Sequence, residues 1–317
     1  MAAEVAISIV IPVYNSEKIL PELFRQLTDA LKGHIYEAIL VNDESADQSW
    51  NVILAGILQY PQLVGINLRK NSGQDNAIMA GLKISRGKYV VIMDDDLQHS
   101  PHDITTLINA CEQAKADVCF ARFPQQKQAL WKRLGSWFNG KVANIIIRKP
   151  SNIYLSPFKL LKQEIVQEIV KYDGPYPYVD GILFTITRNV TQVDVNHNER
   201  FFGKGNYTFT RSLKVFMKLA TNFSVFPLRI VSILGSLIAF SGFLLGLYYL
   251  IEYFISSKVI EGWTTLVILI LILGGTNLIF IGLIGEYTGR AYLSINKRPQ
   301  YTIKDIVLGG GIPDDTI

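Results

Sequence analysis

Four apolar segments of strand length, each followed at once by polar residues, constrain the fold of this 317-residue chain more than any other feature. The segments occupy 7–13, 36–42, 63–68 and 89–93, and amphipathic helical patterns separate them. Strands of nearly continuous Val, Ile and Leu that alternate with helices are typical of a parallel sheet covered on both faces. Ligands bind such sheets at the carboxyl ends of the strands, so we expect the four polar clusters to converge on one site.

The fourth segment ends in three adjacent carboxylates, Asp94, Asp95 and Asp96. Because like charges repel, a fold that gathers them at one strand end needs a cation to offset the cost. Hard oxygen ligands suit Mg²⁺ or Mn²⁺, and these ions usually arrive with the phosphates of a substrate. The alternative is a solvated acidic turn before a helix that starts near Pro101.

The polar clusters carry four motifs in a fixed order. They are Ser8-Ile-Val-Ile-Pro-Val-Tyr-Asn15, Val41-Asn-Asp-Glu-Ser45, Asn71-Ser-Gly-Gln74 and Asp94-Asp-Asp-Leu-Gln98. Together these motifs resemble family 2 glycosyltransferases of the GT-A fold, and more narrowly the branch that uses polyprenyl phosphate. That branch includes dolichyl-phosphate mannose synthases and bacterial undecaprenyl-phosphate glucosyl- and aminoarabinosyl-transferases. The resemblance implies an α/β, Rossmann-like and mostly parallel sheet domain followed by a two-helix transmembrane hairpin.

The resemblance also implies a donor site for a nucleotide diphosphate sugar, a UDP-sugar in preference to a GDP-sugar. The residues expected to bind the nucleotide are Pro12, Tyr14, Asn15, Glu17, Asp43, Ser45, Gly73 and Asp94. Those expected to hold Mg²⁺ or Mn²⁺ against the donor pyrophosphate are Asp94, Asp96 and Gln98. The residues assigned to catalysis are Asp95, Asp96, Arg122 and Arg200.

Basic residues of the second half match the family positions that bind the lipid phosphate. The residues expected to contact the acceptor phosphate are Lys132, Arg133, Ser136 and Arg200. A phosphate monoester needs such a cationic cradle, although solvated surface charge is the alternative for each residue. Because the nucleophile is already an anion at neutral pH, a dedicated general base is less necessary than for a hydroxyl acceptor.

Three elements depart from the family pattern. Asp95 stands where the family commonly has alanine, and Asn152-Ile-Tyr-Leu-Ser-Pro-Phe-Lys159 replaces its Asp-Gly element. The glycine-rich loop of the second half reads Gly203-Lys-Gly-Asn-Tyr207. These departures lie on the acceptor or sugar side, so nucleotide binding is expected to be intact while the sugar stays open.

Two stretches without a charge, 230–251 and 264–285, are each long enough to cross about 30 Å of hydrocarbon. Basic residues flank the pair, and the link between them is poor in basic residues, so the positive-inside rule places both chain ends in the cytoplasm. We therefore expect a multi-pass protein of the bacterial plasma membrane with a cytoplasmic catalytic domain. The predicted divisions are a catalytic domain at 1–206, an interfacial amphipathic helix at 207–228, two spans within 229–289 and a cytoplasmic tail at 290–317.

The net charge of +4 does not indicate a nucleic-acid partner, because the basic residues cluster beside the predicted spans and the phosphate site. The expected partners are the donor, polyprenyl phosphate and the lipid bilayer, and a homo-oligomer is possible. Cys111 and Cys119 are expected to be small apolar core residues.

The resemblance implies an inverting transfer of a sugar to polyprenyl (undecaprenyl) phosphate at the cytoplasmic membrane face. The product would be a lipid-linked sugar for envelope glycan modification. One alternative is a membrane glycosyltransferase that acts on a lipid or glycan hydroxyl, which predicts a general base; Asp173 and Asp180 are the nearest candidates. Another is a catalytically silent membrane scaffold that keeps the fold.

Overall fold

The computed structural model describes residues 5–123, 150, 153–174, 176–195, 226–255, 262–296 and 299–310. The chain divides into two compact units. One unit combines Met1–Asn206 with Lys297–Ile317, and the other is Tyr207–Asn296.

The first unit is built on one sheet of eight described strands. The strands are β1 (Ile7–Val13), β2 (Tyr36–Asn42), β3 (Leu63–Leu68), β4 (Tyr89–Ile92), β5 (Val118–Arg122), β6 (Lys159–Lys162), β7 (Val190–Asp194) and β8 (Ile303–Leu308). The helices of this unit are α1 (Leu20–Ala30), α2 (Ser49–Gln59), α3 (Gln74–Ile84), α4 (Asp103–Gln113), α5 (Gln163–Ile169) and α6 (Val179–Ile186). The strand order is β7-β5-β6-β4-β1-β2-β3-β8.

The predicted α/β fold with a mostly parallel sheet is confirmed. Strands β1 to β4 run parallel, as do β5 and β7, whereas β6 is antiparallel to β4 and β5 and β8 is antiparallel to β3. The first three strands have the predicted bounds. The fourth ends at Ile92, one residue earlier than predicted, and the helix expected near Pro101 begins at Asp103.

Burial of the central strands explains where a polar site can form. Every residue of β1, β3 and β4 is buried. Because successive side chains of a strand point to opposite faces, both faces of this sheet are covered. Helix α1 contributes one buried stripe, from Leu20 through Leu23 and Phe24 to Leu27, at the spacing of an amphipathic helix. Polar side chains that need solvent or ligand are therefore confined to the strand ends.

The chain returns to the sheet after its long helices, which the sequence analysis did not anticipate for the segment 290–317. Strand β8 pairs with β3 in antiparallel register from Val64 opposite Leu308 to Asn67 opposite Asp305. An irregularity follows between Asn67 and Leu68. The sheet of the first unit thus includes a strand that follows the long helices in the chain.

The second unit contains the helices α7 (Phe226–Ile255) and α8 (Trp263–Ile295). Among the described residues one apolar segment, Val231–Tyr248, is long and apolar enough to cross a membrane, with a mean hydropathy of 1.9. It falls inside the first predicted span. The second predicted span, 264–285, falls inside α8 and stays a prediction. The predicted interfacial helix spans 207–228, and its residues 207–225 lie outside the described residues.

Candidate active site

The loops after β1, β2, β3 and β4 each contain one residue in the left-handed backbone region. These residues are Asn15 (φ 55°), Glu44 (φ 54°), Gly73 (φ 91°) and Leu97 (φ 58°). Residues other than glycine rarely adopt this backbone conformation, because it is strained for them. Such residues concentrate at functional sites, where the surrounding structure holds them in place. The parallel strands bring all four loops to one edge of the sheet, as the sequence predicted.

Hydrogen bonds join the first two loops. The backbone N–H of Asn15 donates to Ser45 Oγ at 3.0 Å, and Asn15 Oδ1 accepts the N–H of Ala46 at 2.8 Å. Glu17 Oε2 accepts the N–H of Gln48 at 2.9 Å. Three residues predicted to bind the nucleotide are thus held by contacts between the two loops. Tyr14, beside them, leaves 54% of its surface exposed.

Asp43 joins the second loop to the third. Its carboxylate is 4% exposed and accepts the backbone N–H groups of Ser72 at 2.7 Å and Gly73 at 2.8 Å. Burial raises the pKa of Asp43 above its usual value, and the two hydrogen bonds oppose that shift. Glu44, which the sequence analysis did not assign, accepts the N–H of Asn71 at 2.6 Å.

The Asp95 carboxylate contacts the first loop. One carboxylate oxygen accepts the Ser16 hydroxyl at 2.5 Å and the Tyr14 N–H at 3.4 Å. Burial raises the pKa of Asp95 to about 6, although both hydrogen bonds lower it, and the charge of Asp96 adds to the rise. Asp95 therefore holds two loops together. Its partner Ser16, which is 6% exposed, was missed because a lone serine after a strand carries no distinctive signal.

The flanking carboxylates belong to the turn after β4. Asp94 Oδ1 accepts the side-chain amide of Gln74 at 2.7 Å, which links this turn to the start of α3. The backbone N–H of Gln98 donates to Asp96 Oδ1 at 3.1 Å. The N–H of Asp94 donates to Nδ1 of His99 at 3.3 Å.

His99 packs beneath the acidic turn, between that turn and two phenylalanine rings. It is 4% exposed and stacks against Phe123 and Phe158, with ring centroids 5.5 and 5.1 Å apart. The sequence analysis gave His99 no role among the site residues. Its contacts make it part of the packing that fixes the acidic turn.

The donor set of the turn fits a hard divalent cation in part. In the part of the chain that the structure describes, no group of three or more His, Cys, Asp or Glu side chains is arranged to hold a metal. Asp94, Asp96 and Gln98 nevertheless offer carboxylate and amide oxygens from a single turn. Mg²⁺ and Mn²⁺ sites commonly take one or two carboxylates from the protein and complete their shell with substrate phosphates and water. The residues present fit a cation that arrives with a diphosphate.

In the second half of the unit, Arg122 pairs with Asp194. The two residues end the parallel strands β5 and β7 and stand opposite each other in register. One edge of the guanidinium makes a bidentate contact: Nε donates to Oδ1, and a terminal nitrogen donates to Oδ2 at 2.7 Å. The pairing lowers the pKa of Asp194. About half of each side chain is exposed, so this predicted catalytic arginine lies at the surface with a carboxylate on its bidentate face.

The other predicted acceptor residues, Lys132, Arg133, Ser136 and Arg200, lie outside the described residues. Their assignment stays a prediction.

Lys159 and Asp180 form an ion pair inside the same half. Lys159 is 4% exposed, and its Nζ contacts Asp180 and lies 5.6 Å from the centroid of the Phe120 ring. On β6, Lys159 stands opposite Ile92, two residues before Asp94. Because the Asp180 carboxylate is paired with this ammonium group, it is hindered from acting as the general base that a hydroxyl acceptor would need.

Comparison with known proteins places these loops in one family. Residues 8–170 match the family model described as Glycosyl transferase family 2, a range that spans all four loops. The undecaprenyl-phosphate 4-deoxy-4-formamido-L-arabinose transferase of Shewanella sediminis is 31% identical over 312 residues, covering 96% of this chain and 93% of the relative. The protein of the same name from Photorhabdus laumondii is 32% identical, covering 95% of this chain and 94% of the relative.

Among solved structures, the chain resembles glucosyl-3-phosphoglycerate synthase from Mycobacterium tuberculosis in complex with Mn²⁺, UDP and glucosyl-3-phosphoglycerate. The TM-score is 0.52 at 15% identity, and the match covers 68% of this chain and 77% of that one. At this identity the likeness shows a shared fold.

Proposed function

The chain belongs to glycosyl transferase family 2, and we propose that it transfers a sugar from a nucleotide diphosphate sugar to undecaprenyl phosphate. One observation carries the proposal. Relatives named for this acceptor are 31–32% identical along 95–96% of the chain, beyond the family's catalytic domain and through the long apolar helices. The four loops at the sheet edge supply the donor side of the reaction.

For the donor, we infer that the nucleoside lies over the loops after β1 and β2 and the diphosphate over the turn after β4. The exposed ring of Tyr14 offers an apolar surface to a base, and Asn15 and Ser45 are already fixed against each other. The nucleotide-binding set remains Pro12, Tyr14, Asn15, Glu17, Asp43, Ser45, Gly73 and Asp94. A UDP-sugar is favoured over a GDP-sugar, in keeping with the UDP bound by the fold neighbour from Mycobacterium tuberculosis.

For the metal, Asp94, Asp96 and Gln98 would hold Mg²⁺ or Mn²⁺. When bound, such a cation neutralises the charge that develops on the leaving diphosphate. Gln74 orients the Asp94 carboxylate through its 2.7 Å hydrogen bond. Asp95 contributes by holding the turn against the first loop, so its role in catalysis is positional.

For the acceptor, the nucleophile is an oxygen of the phosphate monoester. It forms a bond to the anomeric carbon while the bond from that carbon to the diphosphate breaks, and the nucleotide leaves with the electron pair. A single displacement of this kind inverts the anomeric centre. Arg122, Lys132, Arg133, Ser136 and Arg200 would bind the acceptor phosphate and align it, so that positioning and electrostatics supply most of the catalysis.

The enzyme would work at the cytoplasmic face of the bacterial plasma membrane as a multi-pass protein. The apolar segment Val231–Tyr248 supports a membrane location. The lipid-linked sugar would then serve envelope glycan modification. For the transferred sugar we propose 4-deoxy-4-formamido-L-arabinose, the sugar in the relatives' names. A glucose donor serves as the comparison in the transfer assay.

The test is a transfer assay with purified full-length protein. Radiolabelled UDP- and GDP-sugars are incubated with undecaprenyl phosphate and Mg²⁺ or Mn²⁺, and label that extracts with lipid is measured. We expect lipid-linked label from a UDP-sugar, loss of the signal with a chelator and loss in Asp96→Asn. Lipid label from none of the donors, in a protein shown to be folded, would refute the proposal.

A further inference from the structure

A line of side-chain hydrogen bonds runs across the sheet from the C-terminal strand to the donor loops. It starts at Asp305 on β8, passes through Asn67 on β3 and Asn42 on β2, and reaches Ser45 and Asn15. Each member belongs to a different strand or loop, so the line crosses three neighbouring strands of the sheet.

The bonds are continuous. Asn67 Nδ2 donates to Asp305 Oδ2 at 3.2 Å, and Asn67 Oδ1 accepts Asn42 Nδ2 at 2.8 Å. Asn42 Oδ1 then accepts the backbone N–H of Ser45 at 3.4 Å, and Ser45 Oγ accepts the N–H of Asn15 at 3.0 Å. The path ends on two residues of the proposed nucleotide site.

Asn42 and Asn67, in the middle of the line, are buried, so their amide groups depend on partners within the protein. Asn42 is 3% exposed and Asn67 is 7% exposed, so water has little access to either amide. A buried amide must be satisfied by a partner in the protein, because an unmade hydrogen bond there costs free energy. Asp305 fixes the orientation of the Asn67 amide: its carboxylate only accepts, so the NH₂ group faces β8 and the carbonyl oxygen faces Asn42. That orientation in turn presents the Asn42 oxygen to the loop.

We propose that Asp305 is a positioning residue for nucleotide binding. The strand that follows the long helices completes the donor site by setting the orientation of two buried amides, which hold the loop that contains Ser45. The inference deepens the proposed function, because it rests on that loop binding the donor nucleotide. It also makes a claim about the loop that can be measured without any ligand.

The first experiment is hydrogen–deuterium exchange on the full-length protein without ligand. Asp305→Ala removes the acceptor, Asp305→Asn keeps an acceptor oxygen, and Lys304→Ala changes the exposed neighbour on the same strand. In Asp305→Ala the amides of Ser45 and Asn15 should exchange about three- to tenfold faster, since one hydrogen bond of ordinary strength is lost from the line. Asp305→Asn and Lys304→Ala should match the wild type.

The second experiment is a calorimetric titration of the same proteins with UDP and Mn²⁺. The dissociation constant should rise about three- to tenfold in Asp305→Ala and should return to the wild-type value in Asp305→Asn. In transfer assays the KM for the donor should rise by the same factor, while kcat and the KM for undecaprenyl phosphate stay unchanged. A purely structural role would not produce this division.

The outcomes separate this inference from the proposed function. Wild-type exchange at Ser45 and Asn15 in Asp305→Ala overturns the inference, whatever the enzyme transfers. Faster exchange spread equally over the amides of β1 and β4 also overturns it, because that result means general destabilisation. If the wild type binds UDP but gives no lipid-linked product, the proposed acceptor fails, and the role of Asp305 stands when the Ser45 and Asn15 amides still exchange faster in Asp305→Ala.

Discussion

Replacing Asp95 with asparagine should make the protein more stable at alkaline pH and leave it catalytically competent. The side chain keeps its shape and can still accept the Ser16 hydroxyl, so the loop contact at 2.5 Å can be retained. What the substitution removes is a carboxylate that burial makes costly to ionise, with a pKa raised from 3.8 to about 6. An acid whose pKa is raised on folding binds its proton more tightly in the folded state, so its ionisation opposes folding.

The size and pH dependence follow from that shift. Well below pH 3.8 the carboxyl is protonated in both states and contributes no difference, and the cost grows as pH rises until the folded carboxyl has ionised above about pH 6. A difference of about 2 pKa units corresponds to a ceiling of about 3 kcal/mol at pH 8 and only about 0.5 kcal/mol at pH 4. Asp95→Asn should gain a part of this ceiling that increases from pH 4 to pH 8.

The assay is thermal or denaturant unfolding of the full-length protein at several pH values with a chelator present. The chelator matters because a cation bound by the neighbouring carboxylates would favour the ionised form of Asp95. Asp173→Asn is the matched control, since Asp173 is an exposed carboxylate of the same domain. Adding Mn²⁺ should reduce the difference in free energy of unfolding between Asp95→Asn and the wild type.

An Asp95→Asn protein no more stable than the wild type at pH 8 would refute the reasoning. A gain that is equal at pH 4 and pH 8 would do so too, since that gain could not come from ionisation.

Other substitutions separate the remaining roles. Asp96→Asn should abolish transfer while the protein folds and inserts, whereas wild-type rates at ordinary Mg²⁺ or Mn²⁺ would remove Asp96 from the metal assignment. Arg200→Ala should lower acceptor efficiency by about one to two decades, from the loss of about 1.5–3 kcal/mol, with little change in donor affinity by calorimetry. Lys159→Met should destabilise the fold by up to about 3–5 kcal/mol in denaturant unfolding, because it leaves Asp180, whose side chain is only 13% exposed, without its partner, and a wild-type midpoint would contradict that. A cysteine at position 258 should be labelled only from the side opposite the chain ends, and labelling from the cytoplasm alone would exclude the hairpin.

The sequence predicted the donor half of the fold well because local patterns determine it. Continuous apolar runs bounded by polar turns favour strands of a covered sheet, so the bounds of β1, β2 and β3 followed directly from residues 7–13, 36–42 and 63–68. The convergence of the four loops followed from parallel topology alone. The motifs then indicated the family, which the comparisons confirm.

The sequence did not predict contacts that depend on tertiary pairing. Strand β8 is partly exposed, and nothing in its composition shows that it pairs with β3, from which the long helices separate it in the chain. The hydrogen bond between Asp95 and Ser16 was not predicted for a similar reason, because the sequence alone does not distinguish three adjacent aspartates. The ion pair of Arg122 with Asp194 joins residues far apart in the chain, so only the sheet register reveals it.

The central claim is that a lipid phosphate is the nucleophile, and a direct comparison of two acceptors tests it. Purified protein, one competent UDP-sugar and the preferred divalent cation are incubated with either undecaprenyl phosphate or undecaprenol, and release of UDP and formation of lipid product are followed together. The account predicts stoichiometric UDP and sugar-linked lipid with the phosphate and no product with the alcohol. Equal or faster transfer to undecaprenol would contradict it and would point instead to a hydroxyl acceptor with a general base.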